Sequence, residues 1–312
     1  MDGKSMKGRV IKSTGSWYTV KTEVAEVKAR LKGKFKQDEL KLTNPIAVGD
    51  WVELAMEEGQ ETGVIFEILP RENYVIRKST RKQHFSHIIA SNLDQAILII
   101  TMKSPRTSLG FIDRFLVSTE SFRIPAILVV NKVDLISKDR DQEWLQDIHE
   151  IYEPLGYPVL EISAIKDTDL REKFLPLIQG KSSLIAGHSG VGKSTLLNRL
   201  APGASQQTKE VSNFSSKGVH TTTFAELFEL PGGGDLIDTP GIKEFGILDV
   251  EEYELSHYFP EMRKYLGQCK YNNCRHINEP GCVILEKLEE GYIHPYRYES
   301  YLNILSEEDS HR

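Results

Sequence analysis

Two hydrophobic rhythms divide this chain. Over residues 7–69, short β-rich runs (9–11, 17–20, 23–29, 51–54 and 63–68) alternate with glycine-bearing turns. That spacing predicts strands, and about five of them in so short a segment fit an OB-type β-barrel. Gly49-Asp50 reads as a turn feeding the strand at Trp51, and Pro70 closes the segment.

Beyond Asn73 the apolar runs become continuous. Residues 94–101 and 125–130 predict fully buried strands, and 159–162, 183–186, 224–230 and 236–237 predict further ones, the last two flanking the hairpin turn Pro231-Gly-Gly-Gly234. Between them, 111–122 has helical periodicity, and Trp144, Ile148 and Ile151 mark a second helical stripe. Strands alternating with helices predict a doubly wound α/β layer. After Gly246 no strand is predicted: residues 251–266 and 283–301 read as helices around a Cys/His cluster. The expected fold class is therefore multidomain, with an OB-fold β-barrel over 1–72, an α/β P-loop domain over 73–246 and a mostly helical unit over 247–312.

At 312 residues, one hydrophobic core is not expected to suffice. The 39% hydrophobic and 27% charged content is that of a folded globular chain. No apolar run approaches the roughly 20 residues of a membrane span, and residues 1–9 lack the apolar stretch of a secretory signal, so a cytoplasmic protein without a membrane partner is expected. The net charge of −6 is unevenly spread: residues 1–41 carry eleven Lys and Arg against five Asp and Glu. That basic segment suits either a phosphate backbone or a solvated charged face.

The candidate chemistry centres on Gly187-His188-Ser189-Gly190-Val191-Gly192-Lys193-Ser194, followed by Thr195. This Walker A pattern lies between a predicted strand and a helical run over 195–200, where the glycines let backbone N–H groups turn onto phosphates. Lys193 would place its charge on the β and γ phosphates, and Ser194 would ligate magnesium. A chance glycine-rich turn is the alternative, disfavoured by the flanking strand and helix.

Asn131-Lys132-Val133-Asp134 follows the buried run 125–130. A carboxylate accepts hydrogen bonds only, so Asp134 pairs with the two adjacent donors on guanine's edge and is mismatched to adenine. Asn131 is expected to tie the base loop to the phosphate loop, and the Lys132 stem to cover the ring. Ser163 and Ala164, after the run 159–162, suit a second base-contacting loop. Asp238-Thr-Pro-Gly241 matches a γ-phosphate sensor, with Asp238 acting on magnesium through water and the Gly241 N–H reaching the phosphate. Residues 218–223 offer Thr222 as a magnesium ligand, although a Thr-rich run also begins many strands. These motifs together predict GTP hydrolysis with Lys193 and Thr222 in the catalytic set. Ile242 stands where Ras-like enzymes carry the water-orienting glutamine, which leaves His220 as the candidate for that task.

The guanine motif at 131 precedes the phosphate loop at 187, the reverse of the usual GTPase order. The domain is thus expected to be circularly permuted, which is tolerable because domain termini often lie close together. The chain then leaves the γ-phosphate sensor directly for the C-terminal unit, so switch movement is expected to act on that unit.

Cys269, Cys274, His276 and Cys282 gather all three cysteines and one histidine within fourteen residues. That is the Cys3His donor set of a structural zinc site, closed and without an open catalytic position; unliganded buried cysteines are the alternative.

The basic barrel, the permuted motifs and the Cys3His tail together resemble the RsgA family of small ribosomal subunit biogenesis GTPases, over essentially the whole chain. The resemblance implies a bacterial cytoplasmic factor, here expected as a monomer. It would bind the immature small ribosomal subunit and its rRNA, assist late maturation, and hydrolyse GTP when stimulated by the subunit. Its cofactors would be GTP/GDP, Mg2+ and one structural Zn2+. Val219 departs from the arginine common before the family's switch histidine, and Gly190 stands where potassium-activated GTPases carry asparagine. The competing reading is a nucleotide-gated RNA-binding scaffold in which hydrolysis is incidental.

Overall fold

The computed structural model of the chain describes residues 5–32, 45–78, 86–137, 139–202, 225–238 and 253–310. Its first five strands, β1 (Met6–Thr14), β2 (Trp17–Thr22), β3 (Glu26–Leu31), β4 (Trp51–Met56) and β5 (Thr62–Ile68), pair in the order β1-β2-β3-β5-β4, and β4 returns to β1. The ring is closed, as the spacing of short runs and turns predicts, and Val10, Tyr18, Val20, Ala29, Val52, Leu54 and Ile65 fill it. The strand expected over 23–29 begins only at Glu26, because Thr22 Oγ1 accepts the Val24 and Ala25 amides and turns the chain there. A hairpin of β6 (Tyr74–Lys78) and β7 (Ser86–Ser91), not anticipated from the sequence, leads out of the barrel.

The α/β layer is built on β8 (Gln95–Ile100), β9 (Ala126–Asn131), β10 (Val159–Ile162), β11 (Ser182–Ala186), β12 (Glu226–Glu229) and β13 (Asp235–Asp238). Their order is β10-β9-β8-β11-β13-β12, parallel except for the antiparallel β12. Every residue of β8 is buried because both faces are covered. Ala96, Leu98 and Ile100 pack with Phe115 of α1 (Leu109–Ser121) and Trp144 and Ile148 of α2 (Asp139–Tyr152). On the other face, Ile97 and Ile99 meet Phe174 of α3 (Leu170–Ile178) and Leu196 of α4 (Lys193–Leu200). Helix α1 starts two residues earlier than its apolar pattern suggests, since Ser108 caps it by accepting from the Phe111 amide.

The sheet does not stop at β12. Lys12 of β1 pairs with Glu226 of β12, which makes the barrel and the α/β layer one continuous sheet. Lys12 Nζ donates to Glu226 at 2.9 Å, and Arg9 reaches Asp235 and the Ser182 hydroxyl, both at 2.7 Å.

The C-terminal unit contains α5 (Pro260–Arg263), α6 (Val283–Glu289) and α7 (Pro295–Ser310) around Leu255, Phe259, Met262, Ile284, Tyr301 and Ile304. The continuous helix expected over 283–301 is divided. Gly291, at φ 80°, ends the first helix, and Pro295 opens the second at a position where its missing N–H has no helical partner to lose. Of the helix expected over 251–266, the described residues from 253 onward form a 3-10 turn, Leu255–Tyr258, and the short α5 beginning at Pro260.

Candidate functional site

In an open parallel sheet, ligands bind where strand order reverses, at the carboxyl ends of the strands. Here the chain builds outward through β8, β9 and β10 and then returns to place β11 beside β8, so the switch point lies between β8 and β11. The described residues of the 131–134, 163–164 and 187–195 motifs, and Asp238, lie at that edge.

The phosphate loop leaves β11 at Gly187. A Cβ there would lie 2.4 Å from the Ile99 carbonyl oxygen, and one on Gly192, at φ 101°, would lie 2.3 Å from Asn131 Nδ2. Neither position admits a side chain without moving backbone or the base loop. Helix α4 follows Gly192 with no side-chain cap, so its first amide donors face the loop's concavity together with the helix's positive end. Lys193 is buried and donates to the Gly187 and His188 carbonyls at 2.7 and 2.9 Å. Burial lowers its pKa, and the nearby Asp238 carboxylate opposes that shift. Ser194 and Thr195 are exposed on the first turn of α4. Asp238 is buried at the end of β13, in register with Ile185 of β11.

Asn131 is the hub between loops. Its Nδ2 donates to the Val191 carbonyl at 2.7 Å and its Oδ1 accepts from the Ala164 amide at 2.9 Å, so one buried side chain holds the base loop, the phosphate loop and the Ser163-Ala164 loop together. Lys132, in the left-handed region at φ 64°, donates from Nζ to the Gly190 carbonyl at 2.7 Å and to that of Ser104. Asp134 sits in a single 3-10 turn with Val133 and accepts from the Ser163 hydroxyl at 2.6 Å. Sequence reasoning missed two supports: the β8–α1 loop carrying Ser104, and Arg199, which donates to the carbonyls of Ala164 and Asp167. Neither carries a local signal, because each acts on residues distant in sequence. His220, Thr222, Gly241 and the rest of the 218–223 and 239–242 motifs lie outside the described residues.

Cys269, Cys274, His276 and Cys282 converge, with their donor atoms all within 4.8 Å of one another. His276 Nδ1 is 3.6 Å from the Cys269 sulfur and 3.4 Å from that of Cys282, and the two sulfurs are 4.0 Å apart. A tetrahedral ion with metal–sulfur bonds of about 2.3 Å requires edges of about 3.8 Å, so the four donors fit zinc. Burial pushes the Cys274 thiol up to about 12 and lowers the His276 pKa, which leaves a neutral imidazole and a thiol that ionises readily only beside a cation. Glu279 shapes the loop between His276 and Cys282 by accepting the amides of Arg275, Ile277 and Asn278 at 2.7, 2.8 and 3.1 Å.

Comparison with known proteins agrees with this geometry. The family model described as RsgA GTPase matches residues 68–248, and that of the RsgA N-terminal domain matches 7–65. The chain belongs to the RsgA GTPase family. A relative from Cytophaga hutchinsonii, named small ribosomal subunit biogenesis GTPase RsgA, is 52% identical over 98% of this chain and 100% of its own length. A Bacteroides fragilis protein of the same name is 47% identical over 97% of each chain. Among solved structures, YjeQ from Thermotoga maritima superposes with TM-score 0.76 at 34% identity, covering 97% of this chain and 98% of its own. YloQ, described as a circularly permuted GTPase, gives 0.74 at 31%, covering 99% and 96%. The family, the permuted GTPase fold and the barrel–GTPase–helical organisation are thus those expected from the sequence.

Proposed function

We propose that this GTPase assists late maturation of the small ribosomal subunit, hydrolysing GTP to GDP and phosphate when the subunit stimulates it. The observation that carries the reading is Asn131, which locks a guanine-selective loop to a complete phosphate loop in a chain related end to end to small-subunit biogenesis GTPases. Asp134 accepts from the guanine edge, with Lys132, Val133, Ser163 and Ala164 framing the base. Residues 187–195 cradle the phosphates, with Lys193 on the β and γ groups. Ser194 and Thr222 ligate magnesium, Asp238 acts on it through water, Gly241 senses the γ phosphate and His220 places the attacking water.

Zinc held by Cys269, Cys274, His276 and Cys282 supplies structural cross-linking in a unit with a small core. The working units are residues 1–72, 73–246 and 247–312, with the barrel and the zinc unit contacting rRNA. No described helix is long and apolar enough to cross a membrane, and the reading is of a cytoplasmic monomer.

The test is GTP turnover by the zinc-loaded chain with and without purified small subunits. Stimulation of about tenfold or more, equivalent to about 1.4 kcal/mol off the barrier, is expected. Turnover unchanged by the subunit overturns the proposal in favour of a nucleotide-gated scaffold.

A further inference from the structure

One set of buried polar groups belongs to neither the nucleotide site nor the cysteine cluster. Arg297 of α7, 1% exposed, donates from Nε to Glu261 of α5 at 2.7 Å and from Nη1 to Asp113 of α1 at 2.5 Å. Tyr152 of α2 donates its hydroxyl to the same Asp113 oxygen at 2.8 Å. Glu261 and Arg297 come from the C-terminal unit, whereas Asp113 and Tyr152 come from the α/β layer. An ion pair this deeply buried resists sliding, since separating its members would strand charges away from water.

The contact continues along α1. Asp113, Val117 and Glu120 stand at i, i+4 and i+7, one face of a helix. Val117 packs in the C-terminal core with Leu255, Phe259 and Met262, and Glu120 accepts from Arg263 at 2.8 Å. One stripe of this α/β-layer helix is therefore bound into the C-terminal unit.

The start of the same helix is bound to the phosphate loop. The Phe111 ring stacks on the His188 imidazole with centroids 3.8 Å apart and planes inclined by 28°. The loop entering α1 is fastened there too, because Lys132 donates to the carbonyls of both Ser104 and Gly190. A Cβ on Gly190 would lie 3.4 Å from Pro105 Cδ, so the two loops are in near contact. Close-packed helices transmit displacement rather than absorb it.

We infer that Asp113 and Arg297 are positioning residues for nucleotide binding: through α1 the C-terminal unit sets the phosphate loop, with the Phe111–His188 stack as the point of transfer. This route is separate from the chain exit after Gly241, and it gives the zinc unit a hold on GDP retention. The inference rests on residues 187–194 being the phosphate loop.

The experiment is the dissociation of a fluorescent GDP analogue from the full-length, zinc-loaded chain and from Arg297→Gln, Phe111→Leu and their double variant. Asp113→Asn provides a nearly isosteric second disruption of the ion pair. Arg297→Gln and Phe111→Leu are each expected to speed release roughly fivefold, the lower end of usual site-to-site coupling. The double variant is expected to release GDP no faster than the quicker single one, because both changes interrupt one path. A purely structural Arg297 would lower the melting temperature and leave release untouched. Wild-type release from zinc-retaining Arg297→Gln or Asp113→Asn, or effects that multiply in the double variant, overturns the inference. If Arg297→Gln does not fold, Asp113→Asn decides. Failure of the wild-type chain to bind GDP would instead overturn the phosphate-loop reading.

Discussion

Asn131 spends both ends of its amide on other loops, which in the proposed reading leaves base recognition to Asp134. Its partners, the Val191 carbonyl and the Ala164 amide, are backbone groups of buried residues. Asn131→Ala strands both, at about 1–3 kcal/mol each, and opens a void beneath Gly192. GTP affinity measured by calorimetry should fall at least about tenfold. Unchanged affinity would show that the loops are registered by other contacts. This role was legible because the Asn-Lys-x-Asp spacing follows a buried strand and a carboxamide both donates and accepts. Lys132 was legible only in part. Its stem was expected over the base, but nothing local in the sequence announces that its ammonium also ties Ser104 to Gly190 across long chain separations.

Among elements, the loop between His276 and Cys282 shows how much a single carboxylate can organise. Three amides converge on Glu279, and hydrogen bonding to them holds its carboxyl down at about 2 even though burial acts to raise it. His276 meanwhile adopts the left-handed region at φ 59°, which a histidine tolerates only where its surroundings enforce it. Glu279→Ala removes that enforcement, and zinc affinity measured by chelator competition should fall about 10- to 100-fold, the usual range for groups that orient ligands. Wild-type affinity would mean that the Tyr298 and Tyr301 hydroxyls, bonded to the His276 and Arg275 carbonyls, suffice. The Cys3His cluster itself was legible from spacing, but Glu279 was not, since a glutamate in a polar loop looks like any other. The division of 283–301 was concealed for a different reason: its apolar positions keep helical spacing through the break, and only Gly291 and Pro295 mark it.

At the scale of the molecule, permutation leaves the sheet intact and changes only where the chain enters and leaves it. The parallel order β10-β9-β8-β11-β13 keeps the loops after β9 and β11 at the same edge of the sheet, on either side of β8, although the first precedes the second in sequence. The barrel and the α/β layer were legible because strand rhythm and motif order are local properties. Their union into one sheet was not, because it depends on one pairing, Lys12 with Glu226, and on Arg9 reaching Asp235. Such contacts bring together residues more than two hundred positions apart, where neither rhythm nor spacing carries information.

The central claim, a guanine-specific site coupled to the small subunit, is tested most directly by exchanging the base preference. Asp134→Asn replaces one acceptor with a donor, so it should disfavour GTP and accept xanthosine triphosphate, whose base carries an additional carbonyl there. Turnover by this variant would be measured with each nucleotide in the presence of purified small subunits. The account predicts that subunit-stimulated turnover is lost with GTP and returns with xanthosine triphosphate. Stimulated GTP turnover at the wild-type level in Asp134→Asn would contradict it.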